Sequence, residues 1–93
     1  MDKVAVRVRI AGRVQGVGFR YWALDRARAL HLSGWVRNRR DGTVEALFSG
    51  RPEAVNEMVA SCRDGPPGAR VIGVDSFPAD PPDESGFQQL PTE

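Results

Sequence analysis

Gly34-Trp35-Val36-Arg37-Asn38-Arg39-Arg40-Asp41-Gly42-Thr43-Val44-Glu45-Ala46-Leu47-Phe48-Ser49 places two β-type runs on either side of Asp41-Gly42. Glycine accepts the positive φ that a tight hairpin turn requires. The runs therefore predict strands over about Gly34–Arg39 and Thr43–Ser49, with Val44, Ala46 and Phe48 facing inward. Upstream, Val4, Val6, Val8 and Ile10 alternate with Lys3, Ala5, Arg7 and Arg9, the period of a half-buried strand, which ends at Gly12. Residues 13–19 keep no period and read as a loop. From Arg20 the spacing changes: Ala23, Ala27 and Leu30 fall at i, i+4 and i+7, an amphipathic helix that stops near His31 because Ser33-Gly34 follows.

Downstream of the hairpin, Gly50-Arg51-Pro52-Glu53 opens a second helix, with proline in its first turn and an acid where the dipole favours one. Val55, Met58, Val59 and Cys62 form its buried stripe, and Gly65-Pro66-Pro67 ends it. Ala69–Phe77 is a fourth strand, residues 78–83 are an exposed acidic connector, and Phe87–Leu90 would supply a fifth strand if residues 84–90 pair at all. The order β-α-β-β-α-β predicts an α+β, ferredoxin-like split βαβ sandwich, two helices on one face of an antiparallel sheet. Many activities share that fold, so it decides none of them.

The 93 residues fit one domain, read over 1–93, and exclude a two-domain cofactor enzyme. With 41% hydrophobic and 27% charged residues the composition is that of a globular chain. Apolar runs reach three or four residues only, too short for a membrane span or a signal peptide. One cysteine (Cys62) and one histidine (His31) leave no intramolecular disulfide and almost no inventory for a metal cage or a His-based triad. A reducing, cytoplasmic setting and a monomer are expected, with no cofactor. Net charge is +1, yet residues 1–46 carry ten Lys/Arg against four Asp/Glu, and residues 47–93 three against eight. An anionic partner belongs with the first half.

Gly12-Arg13-Val14-Gln15-Gly16-Val17-Gly18-Phe19-Arg20 lies between the first strand and the first helix. A helix entrance leaves backbone N–H groups without partners and carries partial positive charge. Glycines let such groups converge, and the planar fork of Arg20 meets two phosphate oxygens at once. Together these describe a phosphate cradle. It is neither familiar nucleotide loop: Tyr21 stands where a dinucleotide fingerprint has its third glycine, and no Gly-Lys-Ser/Thr is present. The plainer reading makes Gly16 and Gly18 turn formers and Arg20 a solvated residue. Asn38 adds to the cradle reading, because a residue with poor strand propensity stands at a strand end. Its carbonyl can hold a water while its NH₂ touches a substrate. The plainer reading of Asn38 is a turn former before Asp41-Gly42.

The two motifs, Gly12 to Arg20 and Gly34-Trp35-Val36-Arg37-Asn38 followed by Asp41-Gly42-Thr43-Val44-Glu45, resemble those of the acylphosphatases. The resemblance runs from Val4 to about Leu90. It implies hydrolysis of the carboxyl–phosphate bond of small acyl phosphates, releasing inorganic phosphate, without metal or cofactor. By motif position Arg20 looks like the family's phosphate-binding arginine and Asn38 like its water-positioning asparagine. The segment Gln15, Gly16, Val17, Gly18, Phe19 looks like its phosphate loop. Two departures stand out. The family's first helix commonly ends Leu-Gly-Leu, whereas this chain has Leu30-His31-Leu32. The tail after Phe87 also lacks the family's frequent basic residue.

So small a set of groups suits the chemistry. A carboxylate leaves readily, so a general acid is dispensable, and catalysis reduces to aligning a water and stabilising phosphoryl charge. Elsewhere the plain readings prevail: His31 ends a helix, Cys62 packs the core, Tyr21 and Trp22 are read as partial core over the alternative that they border the site, and Arg37, Arg39 and Arg40 form a solvated face that would also concentrate an anionic substrate. Two rivals remain. A single-stranded RNA-binding module shares the element order, but its stacking aromatics belong on central strands, where this chain shows Arg7, Arg9 and Glu45 as exposed positions. A non-catalytic phosphate-binding or accessory domain of a larger enzyme would carry a similar constellation.

Overall fold

A computed structural model describes residues 3–93. The elements run β1 (Val4–Arg13), α1 (Phe19–Ala29), β2 (Ser33–Asn38), β3 (Val44–Gly50), α2 (Pro52–Cys62), β4 (Arg70–Pro78) and β5 (Phe87–Gln89). They build one sheet in the order β4-β1-β3-β2-β5. Helix α1 packs on β2 and β5, and α2 on β1, β3 and β4. Val8, Ile10, Val36, Val44, Ala46 and Phe48 meet Ala23, Ala27, Val55, Met58 and Cys62 in one core, so both helices cover the same sheet face. This is the ferredoxin-like α+β sandwich expected from the element order.

The sheet is mixed rather than purely antiparallel. β2 and β5 run parallel, with Gly34, Trp35 and Val36 opposite Phe87, Gln88 and Gln89. The cause is topological. β4 lies on one edge of the sheet and β5 on the other. A strand that starts at the end where β4 stopped must run against β4 and hence along β2. Phe87 anchors the new edge, stacked on Phe48 at 5.7 Å in the core.

Most strand ends shift by a single residue from the pattern in the sequence, and two boundaries differ for a reason visible in the packing. β1 continues through Gly12 to Arg13, because a bulge at Ala11/Gly12 carries its pairing with β4 past the glycine. Gly12 has φ +124, and a Cβ there would lie 2.2 Å from the Arg70 carbonyl oxygen, so only glycine fits. Helix α1 begins at Phe19, one residue early, since Phe19 is a core side chain packed edge-on against Trp22 at 5.2 Å. At its other end, the Leu32 and His31 N–H groups donate to the Ala27 and Arg28 carbonyls at 2.9 and 3.1 Å. That is a Schellman motif with His31 (φ 58) in the left-handed position where glycine is usual.

The uncovered sheet face is not the simple solvated surface expected. Glu45 on β3 is buried, because Arg7 Nη1 and Arg39 Nη1 close on its carboxylate at 3.2 and 3.4 Å. Arg37 Nη1 and Arg39 Nη1 also reach Glu93 Oε1, at 2.7 and 4.0 Å. Among the three arginines read as a solvated face, only Arg40 is fully exposed; Arg37 and Arg39 are half-buried in this network. On α2, Cys62 fills the core as expected, and burial pushes its thiol up to about 12, leaving it neutral. Among the described residues no helix is long and apolar enough to cross a membrane.

Candidate active site

The loop from Val14 to Gly18 turns the chain from β1 into α1 with both glycines at positive φ, +73 at Gly16 and +80 at Gly18. A Cβ at either would meet nothing within 4 Å, so backbone conformation rather than crowding calls for glycine here. Gly18 is the N-cap and offers no side chain to the helix. The first helical bond runs from the Trp22 N–H to the Gly18 carbonyl at 3.0 Å. The N–H groups of Phe19, Arg20 and Tyr21 therefore have no acceptor within the helix. No acidic residue stands in the first turn of α1, so the positive end of its dipole is left uncompensated.

Phe19, Arg20 and Tyr21 line a cavity of about 140 Å³, together with Val14, Gly16, Gly18, Asn38 and Gln89. Arg20 and Asn38, 18 positions apart in the numbering, thus share one small space. Asn38 is the last residue of β2 and is 9% exposed, and its Oδ1 is buried with no hydrogen-bond partner among the described residues. A buried amide oxygen without a partner is costly, and this one belongs to a residue that lines the cavity.

The strand end is held firmly. The Asn38 carbonyl accepts the Glu93 N–H at 3.1 Å, and the Arg39 N–H donates to the Thr43 carbonyl at 2.8 Å. In the turn, Asp41 Oδ1 accepts from Thr43 Oγ1 at 2.6 Å and from the Thr43 N–H at 3.0 Å. The Thr43 hydroxyl and amide, helped by Arg9 and Arg39, hold the Asp41 carboxyl below its ordinary range.

The residues named from sequence divide into three groups. Gly16, Gly18, Phe19, Arg20 and Asn38 line the cavity. Gln15 turns its side chain to the hairpin, where Nε2 donates to the Arg39 and Thr43 carbonyls at 2.7 and 2.9 Å. Val17 packs beside Gly68, against the edge of the core. Of the two readings of Tyr21, partial core fails, since it is 73% exposed, and the alternative matches its place at the cavity. Gln89 was missed altogether. The signal was present in the alternation of β5: with Phe87 in the core, Gln89 takes the same face. Larger clefts lie beside Trp22 and Glu57 (about 310 Å³) and beside His31 and Gly86 (about 620 Å³), but neither pairs a helix entrance with an unsatisfied buried amide.

A ferredoxin-like domain whose helix entrance and arginine face a strand-borne amide across a phosphate-sized space is a small phosphate-handling domain. The comparisons with known proteins narrow the class. The acylphosphatase family model matches residues 6–89. The acylphosphatase of Nitrobacter hamburgensis is 53% identical over 98 residues, covering 99% of both chains. Among solved structures, an acylphosphatase from Coxiella burnetii superposes with TM-score 0.92 at 31% identity, covering 96% of this chain and 94% of the other. The acylphosphatase of Bacillus subtilis gives 0.88 at 34%, covering 94% and 98%. The chain belongs to the acylphosphatase family: it is an enzyme that hydrolyses acyl phosphates and releases inorganic phosphate. The alternative of a non-catalytic phosphate- or RNA-binding module gains no support from these relatives.

Proposed function

We propose that the cavity between α1 and the end of β2 is where this hydrolysis occurs, with the phosphoryl group held by Arg20 and by the backbone of Gln15–Phe19. Arg20 supplies a planar fork of donors to two oxygens, and the loop and helix-entrance amides supply the rest. Asn38 Oδ1 accepts a hydrogen bond from the attacking water and fixes it in line with the bond that breaks. The observation that carries this reading is that Asn38, whose buried Oδ1 has no partner among the described residues, lines the same cavity of about 140 Å³ as Arg20.

The step balances without a protein acid or base. The water oxygen forms a bond to phosphorus, the P–O bond to the acyl group breaks, and its electron pair leaves on the carboxylate. One water proton passes to a phosphoryl oxygen, so an acyl phosphate dianion and water give carboxylate and dihydrogen phosphate. Asparagine is no base, and His31 sits at the far end of α1. No metal or cofactor enters the scheme. The chain acts as a monomer, as a single domain over 1–93, in the reducing cytoplasm that one buried cysteine suits.

Benzoyl phosphate hydrolysis in excess EDTA tests the assignment. Wild type retains its turnover, with no pH dependence from His31. Arg20→Ala and Asn38→Ala each lose about 100-fold or more while staying folded. Full activity in Asn38→Ala would remove its role, and abolition of wild-type turnover by EDTA would overturn the metal-free scheme.

A further inference from the structure

Gln89 enters the cavity from β5, the strand beside the one that ends in Asn38. It stands opposite Val36, so it is offset from Asn38 by two residues on the same sheet face. Strand spacing and rise put the two Cα positions about 8 Å apart. The cavity is thus lined by two carboxamide residues on neighbouring strands. In an in-line displacement the entering water and the departing oxygen lie on opposite sides of phosphorus. A side chain that holds the water therefore cannot also serve the leaving oxygen. Arg20 and the loop amides are committed to the remaining phosphoryl oxygens. Val14 and Phe19 offer the leaving group only hydrocarbon, which leaves Gln89 and the Tyr21 hydroxyl, both on exposed residues, as the side-chain donors for it.

From this arrangement we infer that Gln89 is a specificity-determining residue: its Nε2 donates a hydrogen bond to the acyl carboxyl oxygen as that oxygen takes up charge. The inference rests on the roles proposed above for Arg20 and Asn38. As the P–O bond breaks, its electron pair moves onto the acyl oxygen, and a donor there stabilises the transition state more than the bound substrate. Benefit grows with the basicity of the departing carboxylate, because a more basic oxygen needs the donor more. Gln89 thereby widens the range of acyl phosphates the enzyme accepts toward poorer leaving groups.

The test is a series of ring-substituted benzoyl phosphates graded by the acidity of the benzoic acid released, with kcat/KM measured for wild type, Gln89→Leu and Gln89→Met. Inorganic phosphate inhibition is measured in parallel. Both variants should show a steeper dependence on leaving-group pKa. The loss at the most basic carboxylate is about threefold to tenfold, the worth of one hydrogen bond, and is smaller at the most acidic. Phosphate inhibition stays as in wild type. A uniform loss across the series, an unaltered slope, or a steepening in Tyr21→Phe in place of the Gln89 variants would overturn the inference. Arg20→Ala in the same series separates the two claims. Retained phosphate inhibition in that variant overturns the cradle itself. An inactive Arg20→Ala beside an unaltered Gln89→Leu slope overturns the Gln89 assignment alone.

Discussion

The loop–helix wall of the cavity and its sheet wall are built by different means. The first is local: residues 14–21 form it as the chain turns from β1 into α1, with glycines in open space and helix-entrance amides left unpaired. The second is assembled from afar, since Asn38 and Gln89 meet only because β5 crosses the molecule to lie parallel to β2. A local wall is flexible in composition but exacting in backbone conformation. An assembled wall is rigid, because every strand beside it adds hydrogen bonds to its frame. Phosphate capture suits the former, where many amides share one anion. Holding a single water in line suits the latter, where a displacement of about 1 Å costs roughly 100-fold in rate.

Gln15 joins the two walls, which makes it the place to break the comparison. Gln15→Leu removes the donors to the Arg39 and Thr43 carbonyls. It should cost about 1–3 kcal/mol in denaturant unfolding. If the tie also fixes the register between the walls, kcat falls more than KM rises. A loss of stability with kcat untouched would show that each wall keeps its shape independently.

His31 offers a smaller effect that sharpens the contrast from outside both walls. Its left-handed φ of 58 strains a residue with a Cβ. His31→Gly relieves that strain and should raise unfolding stability by about 1 kcal/mol, with kcat and KM unchanged. A stability decrease would mean that the imidazole makes a contribution exceeding the strain.

The same division explains what the sequence disclosed. The hairpin at Asp41-Gly42, the glycine turn into α1 and the helix stripes were legible because each depends on neighbours in the chain. Asn38 was legible as an oddity, a poor strand former at a strand end, although its burial was not. The alternation of β5 encodes which face Gln89 takes, but its place beside Asn38 needs the parallel pairing of β5 with β2, which no local pattern encodes. Glu45 was misread as exposed for a related reason. Its alternation puts it on the open face, but Arg7 arrives from β1 and Arg39 from the turn just after β2 to cover it. The continuation of β1 past Gly12 likewise depends on the Arg70 carbonyl across the bulge, a partner distant in sequence.

The division of labour between the walls is tested most directly by inorganic phosphate as a competitive inhibitor of Asn38→Ala and Arg20→Ala, set against kcat for each. Asn38→Ala should lose about 100-fold in kcat while its phosphate inhibition constant matches wild type. Arg20→Ala should lose phosphate inhibition along with turnover. Phosphate inhibition weakened as much in Asn38→Ala as in Arg20→Ala would contradict the account, because the sheet wall would then be holding the phosphoryl group rather than the water.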